Sequence, residues 1–219
     1  PISVAFDVKN GPSATLTFSK NGCRMDDGVN ADCDIKIPVA NCDKFNGIID
    51  GKVLTSTLSA VTNLSISNTT ISDFSGLEDF TELNLLQLSN NTNLTEIEFS
   101  KNTKLQYLYL DNNKLANLDV TKNVELIDLS FKNNAIKAID VSKNAELQFL
   151  NCSENLLTVL DVSNNPELRN FSCYSNQLVT LDLSQNTQLT YINCQNNKLK
   201  SVNLKNGNNI NLQTANVAK

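Results

Sequence analysis

Histidine and tryptophan are absent from this chain of 219 residues. Without an imidazole there is no Ser-His-Asp or Cys-His machinery, and the commonest metal ligand is missing. Cations are also scarce: Lys+Arg number 18 against 23 Asp+Glu, a formal charge of −5. Nucleic acid is therefore a poor partner unless those few cations cluster. No apolar run approaches the roughly 18 residues that read as a membrane helix. There is no G-x-S-x-G, no glycine-rich phosphate loop and no C-x-x-C. Together these absences argue against an enzyme and predict neither cofactor nor metal. No basic-apolar leader precedes Pro1, which fits a cytosolic protein or one whose signal peptide has been removed.

Asparagine and leucine are what the chain has in excess, at 35 and 30 residues. With nine Phe and a hydrophobic fraction of 40%, the chain can build a core, so disorder is not expected. The excess is periodic. From Leu105 the sequence repeats every 21 residues. The first position reads Leu105, Leu126, Leu147, Leu168, Leu189; three later come Leu108, Leu129, Leu150, Phe171, Ile192. Two further on stand Leu110, Phe131, Cys152, Cys173, Cys194, and then Asn113, Asn134, Asn155, Asn176, Asn197. The second half of each unit carries apolar residues ending at Val120, Val141, Val162, Leu183, Leu204. A second asparagine closes the unit at Asn123, Asn144, Asn165 and Asn186, and Gly207 stands at that place in the last unit. Two slightly longer units precede these, from Val61 and from Leu83 with Asn91 and Asn102, and a partial coil, Leu212-Ala215-Val217, follows.

The pattern L-x-x-L-x-L is a short strand with alternate residues buried. The asparagine sits where the chain leaves that strand, and its amide can pair with backbone groups the turn leaves open. Identical coils stack, so Asn91, Asn113, Asn134, Asn155, Asn176 and Asn197 are expected to form a ladder. One coil cannot bury its apolar side alone, so stability comes from stacking. At about 4.8 Å per strand, seven coils make an arc of about 30–35 Å.

Cys152, Cys173 and Cys194 occupy an inward position also held by Leu110 and Phe131. They are expected to be buried free thiols acting as small apolar fillers. Cys23, Cys33 and Cys42 lie outside the repeats; a Cys23–Cys33 disulfide is expected, with Cys42 buried, which would agree with export. Asp119, Asp140, Asp161, Asp182 and Asn203 recur on the opposite side of the coil from the strand. Beside Thr121, Ser142, Ser163 and Ser184 they read as turn formers that bond nearby backbone N–H groups. The acidic stretch 25–34 lacks EF-hand spacing and reads as a solvated loop.

The outward strand positions form three columns. The first is Asn63, Leu85, Tyr107, Asp128, Phe149, Asn170, Tyr191; the second is Ser65, Gln87, Tyr109, Ser130, Asn151, Ser172, Asn193; the third is Ser67, Ser89, Asp111, Lys132, Ser153, Tyr174, Gln195. Every tyrosine of the chain lies in these columns. Tyrosine offers large contact area at low entropy cost and is enriched in binding surfaces, although it also suits strands. The columns hold one basic residue, Lys132.

The repeats, LDVSNNPELRNFSCYSNQL above all, resemble the leucine-rich repeats of bacterial secreted and surface proteins, in particular the cysteine-ladder type of the internalins. IPVANCDKF (37–45) resembles the capping helix of that family, ISDFSGLEDFTEL (71–83) its first coil and LKNGNN (204–209) its closing turn. The resemblance covers roughly residues 37–217. It implies a right-handed leucine-rich repeat solenoid, of the α/β class by convention but with few helices. A parallel β-sheet would line the concave face and irregular turns the convex face. It also implies an extracellular or cell-surface location and a protein or glycan ligand. The expected organisation is a β-hairpin-like segment (1–36), an N-terminal cap with a short helix (37–60) and an array of about seven coils plus a partial one (61–219). The expected function is non-enzymatic recognition or adhesion through the concave face. Candidate ligand contacts are Tyr107, Tyr109, Phe149, Tyr174, Tyr191, Leu85, Asp111 and Lys132, with no catalytic residue. A glycan-binding module of a larger secreted enzyme, or a structural spacer, are the alternatives.

Overall fold

The computed structural model describes residues 59–74, 76–209 and 212–217 in full, and the backbone alone of four earlier strands. Those four are β1 (Ile2–Val8), β2 (Ala14–Phe18), β3 (Cys23–Met25) and β4 (Cys33–Ile37). The repeat strands follow as β5 (Val61–Ser65), β6 (Leu85–Gln87), β7 (Tyr107–Tyr109), β8 (Asp128–Ser130), β9 (Phe149–Asn151) and β10 (Asn170–Ser172). They continue as β11 (Thr180–Asp182), β12 (Tyr191–Asn193), β13 (Ser201–Asn203) and β14 (Thr214–Asn216).

β5, β6, β7, β8, β9, β10, β12 and β14 stack in parallel, one per coil, and β1 and β2 extend the same sheet antiparallel at the β5 edge. The pairing is in register: Leu64 faces Leu86, then Leu108, Leu129, Leu150, Phe171 and Ile192. A repeat of constant length forces this, because equal coils place equivalent residues on top of one another. Among the described residues the helical content is the 3-10 turn Leu77–Asp79 and Asn209, also in 3-10 conformation. The side away from the sheet is mostly turns, with one addition to expectation: β11 and β13 pair there as a short parallel ribbon.

The inward positions make one continuous core from Val61 to Cys194, with Phe80, Phe131 and Phe171 as its largest fully buried side chains. At roughly 25 cal/mol per Å² of apolar surface removed from water, this stacking is the main stabilising term. Cys152, Cys173 and Cys194 are buried free thiols in that core. Burial pushes Cys152 up to about 12 and raises Cys173 and Cys194 as well.

Two buried asparagine columns run through the coils, and they differ in what they satisfy. In the inner column each amide both donates and accepts. Asn155 Nδ2 donates to the carbonyls of Phe131 (3.0 Å) and Cys152 (3.2 Å), and its Oδ1 accepts the Ile136 N–H at 3.1 Å. Asn91, Asn113, Asn134, Asn176 and Asn197 repeat the arrangement along the stack. Thr69 begins the column, its N–H and hydroxyl both donating to Asn91 Oδ1.

In the outer column, from Asn102 to Asn186, only the donor side is used. Asn165 Nδ2 donates to Val141 O (3.0 Å) and Asn144 O (2.8 Å). The Oδ1 atoms of Asn102, Asn123, Asn144, Asn165 and Asn186 are buried with no partner among the described residues. This column does not end at Gly207, as the 21-residue count predicts. Asn206 takes the place one residue early, buried, with its Nδ2 on Asn186 O at 3.1 Å. Gly207 follows at φ 76 and turns the chain in the left-handed region.

A third asparagine role is conformational. One residue per coil sits at positive φ: Asn68, Asn90, Asn112, Asn133, Glu154, Ser175 and Asn196. Asparagine tolerates this region better than other side chains. The exposed amides also stack, Asn112 donating to Asn90 at 2.8 Å and Asn133 to Asn112 at 2.9 Å.

The side chains of Cys23 and Cys33 lie outside the described residues, as do Cys42 and the expected capping helix beyond Ile37. The backbone register pairs Cys23 with Ile37 and Met25 with Cys33. At the last strand, Ala215 and Val217 are exposed and Leu212 is half-buried.

Candidate functional site

The outward face of the long sheet carries the three columns in the spatial order the repeat predicts. Register places Leu85 beside Tyr107, Tyr107 beside Asp128, Asp128 beside Phe149, and Asn170 between Phe149 and Tyr191. The second column runs Gln87, Tyr109, Ser130, Asn151, Ser172, Asn193 through the same pairings. Strands about 4.8 Å apart bring each side chain into contact range of its column neighbours.

Half of the candidate contacts are bonded to other residues of the chain. Asp111 Oδ1 accepts the Ser130 hydroxyl at 2.6 Å and the Lys132 N–H at 2.7 Å, so it ties its own coil to the next. Tyr109 donates its hydroxyl to Asp128 Oδ2 at 2.9 Å. Burial and this carboxylate raise the Tyr109 phenol well above its ordinary value. Tyr174 donates to Glu154 Oε1 at 2.7 Å, and Lys132 Nζ sits 3.2 Å from the same oxygen. Lys132 also lies over the Tyr174 ring, 5.5 Å from its centroid, a cation–π distance. The Tyr174 hydroxyl and then Glu154 raise Lys132, while the Tyr174 hydroxyl and then Lys132 lower Glu154. The one cation of the columns is thus neutralised within the chain.

Glu154 was not among the residues singled out from sequence. It lies just outside the columns, and its signal is that it interrupts the asparagine series at the positive-φ position.

Tyr107, Phe149 and Tyr191 differ: among the described residues no side-chain hydrogen bond engages the Tyr107 or Tyr191 hydroxyl. Phe149 is 37% exposed. An open depression of about 560 Å³ lies here, walled by Phe149, Tyr174 and Tyr191, with Asp128, Asn151, Asn170 and Asn193 among its polar lining. Aromatic faces beside amides and hydroxyls suit recognition by contact and hydrogen bonding rather than proton transfer.

The opposite side of the coils is committed to turns. The carboxylates of Asp119, Asp140, Asp161 and Asp182 accept the N–H groups of Thr121, Ser142, Ser163 and Ser184 at 2.8–2.9 Å, and Asn203 does the same for Lys205 at 3.1 Å. Bonds from the N–H and hydroxyl of Thr121 and the serines hold these carboxyls below their ordinary range. Among the described residues no group of His, Cys, Asp or Glu could hold a metal ion, and no helix is long and apolar enough to cross a membrane.

Stacked coils, one parallel strand each, apolar residues inward and an asparagine ladder behind the strand define a right-handed leucine-rich repeat solenoid with its parallel sheet on the concave face. Solved structures give the subtype. The functional domain of InlJ from Listeria monocytogenes, described as including a cysteine ladder, matches 75% of the chain at 38% identity with a TM-score of 0.71. A leucine-rich repeat protein of Leptospira interrogans matches 75% at 23% identity and a TM-score of 0.68. Internalin C2 of Listeria monocytogenes matches 83% at 19% identity and a TM-score of 0.57. The latter two show the fold alone. The chain spans 36% of the InlJ domain and 45% of the Leptospira protein. No family model and no curated protein matches the chain. The chain is an internalin-like leucine-rich repeat protein of the cysteine-ladder type.

Proposed function

We propose that the chain is a non-enzymatic recognition module that binds a protein through the concave sheet, in a secreted or surface-displayed protein. One observation carries the reading. All four tyrosines and the exposed Phe149 fall on one face, and three of these rings wall the same depression. Similarity to the InlJ functional domain supports an interaction role, because a stacked array offers an extended surface. Tyr107, Phe149 and Tyr191 are the anchors; Tyr109, Tyr174, Asp111 and Lys132 hold the surface in shape through their mutual bonds. Leu85 extends the face at its N-terminal end.

The test is affinity capture from host and matrix extracts with the wild-type chain and with Y107A/F149A/Y191A. Each true anchor contributes about 2 kcal/mol or more, so the triple variant should lose the partner altogether. A partner captured equally by both proteins refutes concave binding.

A further inference from the structure

The concave face is electrically unbalanced at one point, and the imbalance names a partner group. Asp128 is half-buried in the first column, where it lines the depression. Its Oδ2 accepts the Tyr109 hydroxyl, a neutral donor, and no ion pair to it occurs among the described residues. Asp111, one coil back, adds to the negative field and is itself bonded only to neutral donors. Lys132, the one cation in the columns, is engaged by Glu154 and the Tyr174 ring. In register on either side of Asp128 stand Tyr107 and Phe149. A half-buried carboxylate without a counter-ion is costly in the free protein. Aromatic faces next to a carboxylate attract ammonium and guanidinium groups.

We propose, as a refinement that rests on concave binding, that the protein partner inserts a lysine or arginine side chain at Asp128, between the Tyr107 and Phe149 rings. The guanidinium or ammonium bonds the carboxylate while its alkyl stem packs on the rings. A neutral glycan offers no such group. Burial first, and then the Asp111 charge, raise the Asp128 carboxyl, which a bound cation would reverse.

The test uses N-acetyl-arginine amide as a probe and its neutral isostere N-acetyl-citrulline amide as control, with the full chain followed by NMR. The arginine probe should shift resonances of Asp128, Tyr107 and Phe149 in a saturable way, and citrulline should do so severalfold less. Asp128→Asn keeps an oxygen to accept the Tyr109 hydroxyl, so the fold should hold; the arginine response should vanish. Asp161→Asn, on the convex side, should leave the response unchanged. Equal responses to the two probes, an unchanged response in D128N, or no localised response up to the solubility limit overturns the proposal. With a captured partner in hand, D128N should weaken binding severalfold. A partner lost by the triple-anchor variant but retained at full affinity by D128N would refute the cationic contact and leave concave binding standing.

Discussion

Truncating one asparagine from each buried column should cost different amounts, although the two changes remove the same atoms. In Asn155→Ala the carbonyls of Phe131, Cys152 and Ser153 each lose one donor but keep another, from Asn134 Nδ2, Asn176 Nδ2 and the Asn133 N–H. The Ile136 N–H keeps nothing, since its acceptor was Asn155 Oδ1. An orphaned buried donor costs about 1–3 kcal/mol, and the weakened carbonyl contacts and the void add to it, for about 2–4 kcal/mol in all. In Asn165→Ala the carbonyls of Val141 and Asn144 keep the N–H groups of Asn144 and Leu147. No donor is orphaned, and a buried Oδ1 without a partner is removed. The expected cost is about 1 kcal/mol. Urea unfolding of both variants measures the totals. Because stacked coils can unfold piecemeal, amide exchange at Ile136 supplies the local reading. The N155A variant should lose protection at Ile136, while N165A should not. Equal destabilisation, or an Ile136 amide that stays protected in N155A, would refute the distinction between the columns.

Ser175 sits at φ 53 where five of the seven equivalent residues are asparagine. Ser175→Asn should stabilise the chain by about 0.5–1 kcal/mol by relieving a left-handed backbone cost. A raised urea midpoint at unchanged slope would show it, and a lowered midpoint would contradict the assignment. The three core thiols should resist iodoacetamide in the native state at pH 8 and react in urea, as mapped peptide by peptide; native labelling at Cys173 would refute their burial. Their folded pKa values lie above the unfolded value of about 8.5, so the unfolded chain ionises first. Stability is therefore unaffected below that value and falls as pH rises through it towards about 12, the folded value of Cys152.

The columns of the sheet were legible in the sequence because a fixed repeat turns alignment into geometry. Residues 21 apart, such as Tyr107 and Asp128, become facing neighbours on adjacent strands. The inward cysteines and the aspartate turns were legible for the same reason. What the period did not reveal was side-chain partnering. Glu154 reaches Lys132 and Tyr174 from a backbone position at φ 54, and only that left-handed turn explains how a residue outside the columns serves them. The closing Asn206 was hidden by a one-residue shortening of the last coil, which leaves Gly207 where the count expects asparagine. The short convex pairing of β11 with β13 was also missed, since one strand pair adds no new sequence period.

The repeat also determines where function can reside. A residue facing the core must match its neighbours above and below, and an asparagine behind the strand must serve the backbone of the preceding coil. An aspartate on the convex side must cap its own turn. These positions vary only among residues that keep the contact, as Asn203 does in the aspartate row. The concave columns are under no such demand, and there consecutive coils differ most: Tyr107, Asp128, Phe149 and Asn170 succeed one another in a single column. Across the concave face the residues split again. Tyr109 and Asp128 already hold each other, as do Tyr174 and Glu154, so a ligand must compete with bonds already made. Tyr107, Phe149 and Tyr191 give up only water when covered. On the proposed concave binding, the energy should therefore concentrate on the first column, from coil three to coil seven, with the Asp128 charge selecting the group that lies beside it.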